Sequence, residues 1–246
     1  MAENTQEDFT VELLPFDTEI FGIKCGIVKI NNKLLSKDQS ADIINNAKEK
    51  GISHLVVKIP TEWVSVCSQL ENLNFRFKLC SLELEKFVSE SDCPKSVELY
   101  ERQNDQRLVD IAEKSFASAT RFHFEERFTR QQVSEVYKRW ISNLICDRDV
   151  RIYVHFEKEI ITGFITVKII DAVLKTGHIG LFAVDKTYQG KGIGSKLLSA
   201  AGSSLFNKAV VLNASTECIN YAALKTYQKG GFHIKQSWNV FHCNVV

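Results

Sequence analysis

The sequence lacks the patterns that would commit it to metals or disulfides. Its six histidines show neither H-x-x-x-H nor H-x-x-E-H spacing, so we predict no metal site. There is no C-x-x-C pair, and the odd number of cysteines argues against a closed disulfide framework. We therefore expect reduced, mostly buried thiols at the seven cysteine positions, 25, 67, 80, 93, 146, 218 and 243.

Long apolar runs and an excess of charge of one sign are also missing. No run approaches the length that spans a bilayer, and the acidic start MAENTQEDF has no basic segment followed by an apolar core. The 31 lysines and arginines nearly balance the 30 aspartates and glutamates, which leaves a net charge of +1. Nucleic acid and membrane partners are therefore not expected, and any anion must be bound by local donors. We predict a cytoplasmic protein with a small-molecule partner, and a homodimer is left open.

The chain does contain strand and helix patterns in alternation. With 246 residues, 44% of them hydrophobic, and only three prolines, it is long enough for one large domain or two modest ones. HLVVKI (54–59) and HIGLFAV (178–184) are apolar strand patterns, and the residues after 192 repeat apolar positions at helical spacing. The predicted class is mixed α/β. The polar stretch SESDCPKS (89–96) predicts a linker between an N-terminal α/β domain, 1–92, and a second domain, 96–246.

The segments before and after this predicted linker show a weak internal similarity. HLVVKI, a helix ending in LENLNF and the strand RFKLCSLELE follow the same order as KAVVLN, a helix ending in YQKGGF and the strand HIKQSWNVFHC. The N-terminal domain is therefore predicted to be a degenerate half-copy that lacks the glycine-rich loop described next. The match is loose, and a chance similarity stays open as the alternative.

The glycine-rich loop YQGKGIGSKLL (188–198) places glycines at 190, 192 and 194 directly before a predicted helix. A dinucleotide-binding loop needs G-x-G-x-x-G, and here the third glycine comes one residue early. A phosphate-binding P-loop needs G-x-x-x-x-G-K-[ST], and here serine and lysine stand in the wrong order. The remaining pattern turns consecutive N–H groups toward one concavity at a helix N-terminus, which predicts a cradle for a pyrophosphate. The alternative is a tight strand-to-helix connection without a ligand.

Two motifs in order resemble those of the GNAT N-acetyltransferase superfamily. LFAVDKTYQGKGIGSKLL resembles its acetyl-CoA-binding strand, loop and helix, and NYAALKTYQKGGF, which begins 26 residues beyond Gly194, resembles its next helix. The resemblance spans about residues 151–240. It implies a splayed, mostly antiparallel sheet flanked by helices, with acetyl-CoA as co-substrate, no metal, and transfer of the acetyl group to an amine.

The resemblance also implies roles for individual residues. The backbone beside Phe182 and Val184 would pair with the pantetheine arm of acetyl-CoA, and the loop N–H groups would hold the pyrophosphate. Predicted cofactor-binding residues are Phe182, Ala183, Val184, Gln189, Gly190, Lys191, Gly192, Ile193, Gly194, Ser195 and Asn220. For Lys191 a solvated surface position is the alternative, and for Asn220 it is a helix cap.

Tyr227 is the predicted general acid. It lies seven residues after Asn220, so both occupy one face of the helix, whereas Tyr221 points elsewhere. Its hydroxyl can give a proton to the departing thiolate, and a packing role is the alternative. The strand KTGHIGLFAV has no glutamate to act as a base, and His178 is more often a plain strand histidine. A sugar amine, which is less basic than lysine, needs no dedicated base.

A narrower resemblance lies outside the cofactor motifs. LPFDTEIFG (14–22), TRFHFEERF (120–128) and YKRWI look like segments of the dTDP-fucosamine acetyltransferases. These enzymes acetylate the 4-amino group of a nucleotide-linked 4-amino-4,6-dideoxyhexose for surface polysaccharide. The predicted substrate residues are Arg121, Phe122, His123 and Phe124, whose charge and aromatic surface suit a diphosphate and a ring. The alternative is a helix connector with Phe122 or Phe124 buried. A peptide or other small-amine N-acetyltransferase and a non-catalytic acyl-CoA-binding module stay open.

Overall fold

A computed structural model describes residues 8–33, 36–90, 93–102, 105–117, 120–171 and 173–245. Over these residues the chain forms ten strands, seven α-helices and two short 3-10 helices. The strands are β1 (Phe9–Leu13), β2 (Cys25–Ile30), β3 (His54–Pro60), β4 (Arg76–Phe87), β5 (Val97–Leu99), β6 (Arg151–Glu157), β7 (Ile160–Asp171), β8 (Thr176–Val184), β9 (Val211–Glu217) and β10 (His233–Asn244). The helices are α1 (Pro15–Phe21), α2 (Lys37–Glu49), α3 (Val64–Asn72), α4 (Asp105–Ser115), α5 (Arg130–Cys146), α6 (Ile193–Leu205) and α7 (Tyr221–Lys229). Within the described ranges, no helix combines the length and apolar character needed to cross a bilayer.

The chain divides into two compact units, and neither is a single stretch of sequence. Unit 1 consists of Met1–Ser81, Arg121–Phe128 and Ser237–Val246, and unit 2 of Leu82–Thr120 and Thr129–Gln236. The predicted linker SESDCPKS lies between β4 and β5, inside the range of unit 2, and its residues 91 and 92 fall outside the described structure. The domains 1–92 and 96–246, and the origin of the first as a half-copy, remain predictions.

Unit 1 has a core built on the strand order β1, β2, β3 and β10. β1 and β2 are antiparallel, β2 and β3 are parallel, and β3 pairs antiparallel with β10 from Pro60↔Trp238 to His54↔Asn244. The branched run of β3 is buried because apolar side chains from two helices and from β10 cover it. The core residues are Val11, Val28, Ile43, Ala47, Ile52, Leu55, Val57, Ile59, Val66, Leu70, Phe75, Phe241 and Cys243.

Unit 2 contains the feature that positions the candidate site, a sheet that splits. Its strands β5, β6, β7 and β8 are antiparallel neighbours in that order, and β8 is parallel to β9. The β8–β9 pairing runs only from Thr176↔Val211 to His178↔Asn213. Beyond this pair, β8 continues to Val184 and β9 to Glu217 without pairing with each other. We call this opening, between residues 179–184 and 214–217, the fork. The splayed, mostly antiparallel sheet and the mixed α/β class are confirmed.

Candidate functional site

The loop that follows β8 forms a cradle of backbone groups, residues 189–195. Gly190 and Gly192 have φ values of +78° and +77°, a left-handed conformation that only glycine adopts at little cost. No atom lies within 4 Å of the position that a Cβ would take at either residue. Gly192 is also the N-cap of α6 and supplies no side-chain cap. The N–H groups of the first turn of α6 are therefore available to an anion, and the helix dipole favours one there.

Gly194 is required for a different reason, namely close packing. A Cβ at this position would lie 2.9 Å from Thr226 Cγ2 and 3.2 Å from Phe182 Cζ. The first distance is shorter than real Cβ contacts allow, so any side chain would push α6 away from α7 or from the ring of Phe182 on β8. The three glycines thus combine two local conformations with one close approach, and the glycine spacing alone does not distinguish them.

The entry to the cradle is fixed by hydrogen bonds around Asp185. Arg107 Nη2 donates to Asp185 Oδ2 at 2.7 Å, and the Thr187 N–H donates to Asp185 Oδ1 at 2.9 Å. Burial acts to raise the pKa of the Asp185 carboxyl, but these bonds outweigh it and hold the pKa below its ordinary value. Gln189 Nε2 donates to the carbonyl oxygen of Val184 at 3.0 Å. The predicted pyrophosphate ligand Gln189 therefore also closes the turn that leads out of β8.

The two lysines at the cradle already lie near other groups. Lys191 Nζ is 3.6 Å from a carboxylate oxygen of Glu157 and lies 4.9 Å from the centre of the Tyr188 ring. Lys196 Nζ lies 3.5 Å from His155 Nε2. Burial first, and then the charge of Lys196, lowers the pKa of His155. Contact of Lys191 with the adenosine phosphates stays a prediction.

Tyr227 faces inward from α7. Its ring is 4% exposed, while Tyr221 is 68% exposed. The ring lies edge-on to Phe182 at 5.8 Å and to Phe232 at 5.1 Å. Burial raises the pKa of the Tyr227 hydroxyl well above its ordinary value. The hydroxyl therefore stays protonated at neutral pH and can donate to a developing anion.

Asn220 caps α7, which is the alternative that the sequence left open. Its Oδ1 accepts a hydrogen bond from the Ala223 N–H at 3.2 Å. This bond satisfies one of the free N–H groups at the start of the helix and does not itself address a role in binding pantetheine. Phe182 joins the parts of the site, because its ring contacts Tyr227 and adjoins the position of Gly194. The cradle, the β8 side of the fork and the tyrosine thus meet at one side chain.

The two motifs predicted to bind the acceptor lie together in unit 1. Phe21 of the first motif stacks on Phe128 of the second with ring centres 3.6 Å apart. Arg121 Nη2 lies 3.3 Å from Asp17 Oδ2, and Phe122 is buried, 5.5 Å from Phe21. Much of this contact is core packing, as the alternative reading of the motif requires. The ring of Phe124 is different, since 43% of it is exposed.

The structure also reveals a buried titratable cluster that sequence spacing did not indicate. Potential ligand atoms of His54, Glu125 and His242 lie within 4.8 Å of one another, although the three residues come from distant segments. His242 Nδ1 is 3.3 Å from Glu125 Oε2, and Arg127 Nη2 is 2.6 Å from His54 Nδ1. Lys78 Nζ lies 3.2 Å from Glu125 Oε2. The cations of Arg127 and Lys78 oppose the addition of a metal ion here.

Burial shifts the pKa values of this cluster in directions that make the fold sensitive to acid. Burial lowers the pKa of His54 to about 3 and that of His242 to about 4. Burial acts to raise the pKa of Glu125, but the bond to His242 and the charge of Lys78 bring it down to about 2. At neutral pH both histidines are neutral and the carboxylate is ionised.

We therefore expect stability to fall as the pH drops below 6.5. Below this pH the unfolded chain binds protons at His54 and His242, whereas the folded chain keeps both histidines neutral. The free energy of unfolding should therefore fall by up to about 3 kcal/mol per pH unit toward pH 4.5. Below 4.5 the loss continues as Glu125 becomes protonated on unfolding. Urea unfolding between pH 7.5 and 4.5 measures this slope.

The variant His242→Gln should reduce the slope, while His233→Gln, at an exposed position, is the matched control. A constant free energy of unfolding over this range would show that the two histidines bind protons in the fold as they do in the unfolded chain, and would contradict the lowered pKa values.

Part of the chain matches the model of a known protein family. Residues 113–232 match the model of the acetyltransferase (GNAT) family. The matched segment contains the cradle, both strands of the fork, and Tyr227. No curated protein matches the sequence.

Solved structures with the same fold cover most or all of the chain. A GCN5-related N-acetyltransferase from Sphaerobacter thermophilus is 12% identical, with a TM-score of 0.71 and coverage of 100% of this chain and 79% of that one. A functionally unknown conserved protein from Staphylococcus epidermidis is 15% identical, with a TM-score of 0.67 and coverage of 100% and 94%. A tandem GNAT protein from the clavulanic acid biosynthesis pathway is 10% identical, with a TM-score of 0.60 and coverage of 90% and 75%. At these identities the likeness concerns the fold.

Proposed function

We propose that this chain, an acetyl-CoA-dependent acyltransferase whose GNAT-family segment is residues 113–232, acetylates the 4-amino group of a dTDP-linked 4-amino-4,6-dideoxyhexose. The observation that carries the acyl transfer is the meeting of cradle, fork and buried tyrosine at Phe182. A pyrophosphate would lie against the N–H groups of residues 190–195, and the pantetheine arm would occupy the fork as an added strand. Bound there, acetyl-CoA supplies an activated acetyl thioester.

The chemistry that we propose is direct transfer. A neutral amine attacks the thioester carbonyl, the new N–C bond forms, and the C–S bond breaks. The role of Tyr227 is to donate its hydroxyl proton toward the departing sulfur, and the proton left on the nitrogen passes to water. Because burial raises the pKa of Tyr227, transfer of this proton to a thiolate with a pKa of about 8.5 is uphill. Tyr227 therefore acts mainly through a hydrogen bond that strengthens as negative charge develops on sulfur.

The acceptor proposal rests on the two motifs of unit 1. They are separated by about a hundred residues, and Asp17–Arg121 and Phe21–Phe128 bring them into one local structure. In this proposal the exposed ring of Phe124 supplies stacking surface for a base or sugar, and Arg121 and His123 supply polar contacts. Phe122 supports them from the core. Because Arg121 already pairs with the buried Asp17, Arg121→Ala would disturb the fold as well as the acceptor.

The acceptor is therefore better tested with substrates. Thiol release from acetyl-CoA should be measured with dTDP-linked 4-amino-4,6-dideoxygalactose, its gluco isomer, a UDP-linked 4-amino sugar and a lysine-rich peptide. We expect kcat/KM for a dTDP-linked amine to exceed that for the peptide at least tenfold, a difference of about 1.4 kcal/mol. dTDP-glucose is the matched control, since it keeps the nucleotide and lacks the amine. Acetylation of the peptide with none of the sugars used would replace this acceptor with a protein amine.

A further inference from the structure

Asn213 occupies the last pair of residues before the fork opens. It pairs with His178 across β8 and β9, and beyond this pair the two strands separate. Asn213 is only 9% exposed, and its side-chain oxygen Oδ1 is buried without a hydrogen-bond partner in the described part of the chain. A buried carbonyl oxygen without a donor costs free energy, and native structures rarely leave one in place without a reason. The position at the floor of the fork suggests that the missing donor belongs to a bound molecule.

Strand geometry places the reacting atoms near this floor. A strand rises about 3.3 Å per residue, so Val184 lies about 20 Å from His178 along β8. The pantetheine arm between phosphate and sulfur has about as many bonds as four residues of extended backbone, a reach of about 14 Å. An arm that enters the fork beside Val184 therefore brings its sulfur to the level of Gly180. The acetyl carbonyl and the attacking nitrogen would then lie one to two residues deeper, beside the His178↔Asn213 pair.

We infer that Asn213 positions the acceptor amine by accepting one of its N–H hydrogens at Oδ1, an inference that rests on the proposed acyl transfer in the fork. An amine held in this way keeps its lone pair free for the thioester carbon. As the N–C bond forms, the nitrogen becomes positively charged, and the hydrogen bond to the carbonyl oxygen strengthens. An amide cannot take the proton, which leaves with water after the C–S bond has broken.

The inference predicts that a substitution at Asn213 affects turnover of the amine and leaves binding of acetyl-CoA unchanged. Asn213→Leu keeps the approximate size of the side chain and removes the oxygen. We expect kcat/KM for the amine to fall about 10- to 100-fold, while the dissociation constant of acetyl-CoA stays within about twofold of the parent value. Asn143→Leu, the same substitution at an exposed position on α5 outside the fork and the cradle, is the matched control and should leave both values unchanged. Asn213→Asp restores the oxygen, so it should recover activity and acquire a pH profile that follows ionisation of the new carboxylate.

The assay uses whichever amine of the four-substrate series the parent enzyme acetylates, and hydroxylamine if it acetylates none. Failure of the dTDP sugars with activity on another amine thus contradicts the proposed acceptor and leaves the Asn213 test in place. The inference itself is overturned if folded Asn213→Leu retains the parent kcat/KM for that amine. It is equally overturned if the variant loses acetyl-CoA affinity to the same extent as amine turnover, since Asn213 would then serve the cofactor or the packing of the fork.

Discussion

Replacing Gly192 with aspartate should reduce the affinity for acetyl-CoA by about 10³-fold or more. The substitution places a carboxylate at the N-terminus of α6, where the N–H groups of the cradle would meet a pyrophosphate, and repulsion between like charges at this distance costs several kcal/mol. The left-handed backbone of this residue adds a cost of about 1 kcal/mol for any side chain, which lowers the stability of the folded loop. Isothermal titration calorimetry with acetyl-CoA measures the change.

Two variants separate the causes. Gly192→Asn has nearly the same shape without the charge, and asparagine tolerates the left-handed conformation, so it should retain more affinity than Gly192→Asp. Gly22→Asp places the same side chain on another left-handed glycine with open space around it, in unit 1. It should bind acetyl-CoA like the parent. If Gly192→Asp binds acetyl-CoA at parental affinity and melts at the parental temperature, the cradle does not hold the pyrophosphate.

The second large effect is expected at Tyr227. Tyr227→Phe removes only the hydroxyl and keeps the ring that packs on Phe182 and Phe232, so kcat should fall about 10²-fold while acetyl-CoA affinity hardly changes. Steady-state kinetics at saturating acetyl-CoA, with a thermal melt as the folding check, test this expectation. Since burial raises the pKa of Tyr227, the parent enzyme should show no loss of activity from tyrosine ionisation up to about pH 10.

Tyr221→Phe is the control for this variant. Tyr221 is the neighbouring tyrosine of the same helix, and it is exposed. Its substitution should leave kcat unchanged. A parental kcat for Tyr227→Phe would show that Tyr227 does not stabilise the departing sulfur. A loss of kcat for Tyr221→Phe instead would assign that role to Tyr221.

Local patterns in the sequence were enough to predict the parts of the site that depend on neighbouring residues. Glycine spacing predicts the cradle because positive φ values and free N–H groups arise within one turn of chain. Helical periodicity predicts that Tyr221 and Tyr227 point to different sides of α7 because their spacing is not a whole number of turns. The mixed α/β class follows from the alternation of strand and helix patterns.

Features that depend on distant residues could not be predicted in this way. The reason for Gly194 lies in Phe182 and Thr226, which the chain brings to it from two other elements. Pairing between β8 and β9 stops at Asn213. This point depends on both strands together, so neither strand's sequence alone predicts it. The cluster of Glu125 with two histidines joins three distant segments. The sequence allowed Phe122 to be either a buried connector residue or part of the acceptor site. Its contact with Phe21, a residue distant in the sequence, favours burial.

The make-up of unit 1 also bears on how the protein matures during synthesis. Its first 81 residues emerge from the ribosome early, but its core includes Phe241, and its strand β3 pairs with β10 at the far end of the sequence. Closing so long a loop is slow compared with forming local contacts. The edge of β3 that pairs with β10 therefore stays open until the residues of β10 have been synthesised. Chaperones that shield nascent apolar strands would have their longest engagement with this segment, and translation speed would matter more for unit 1 than for unit 2.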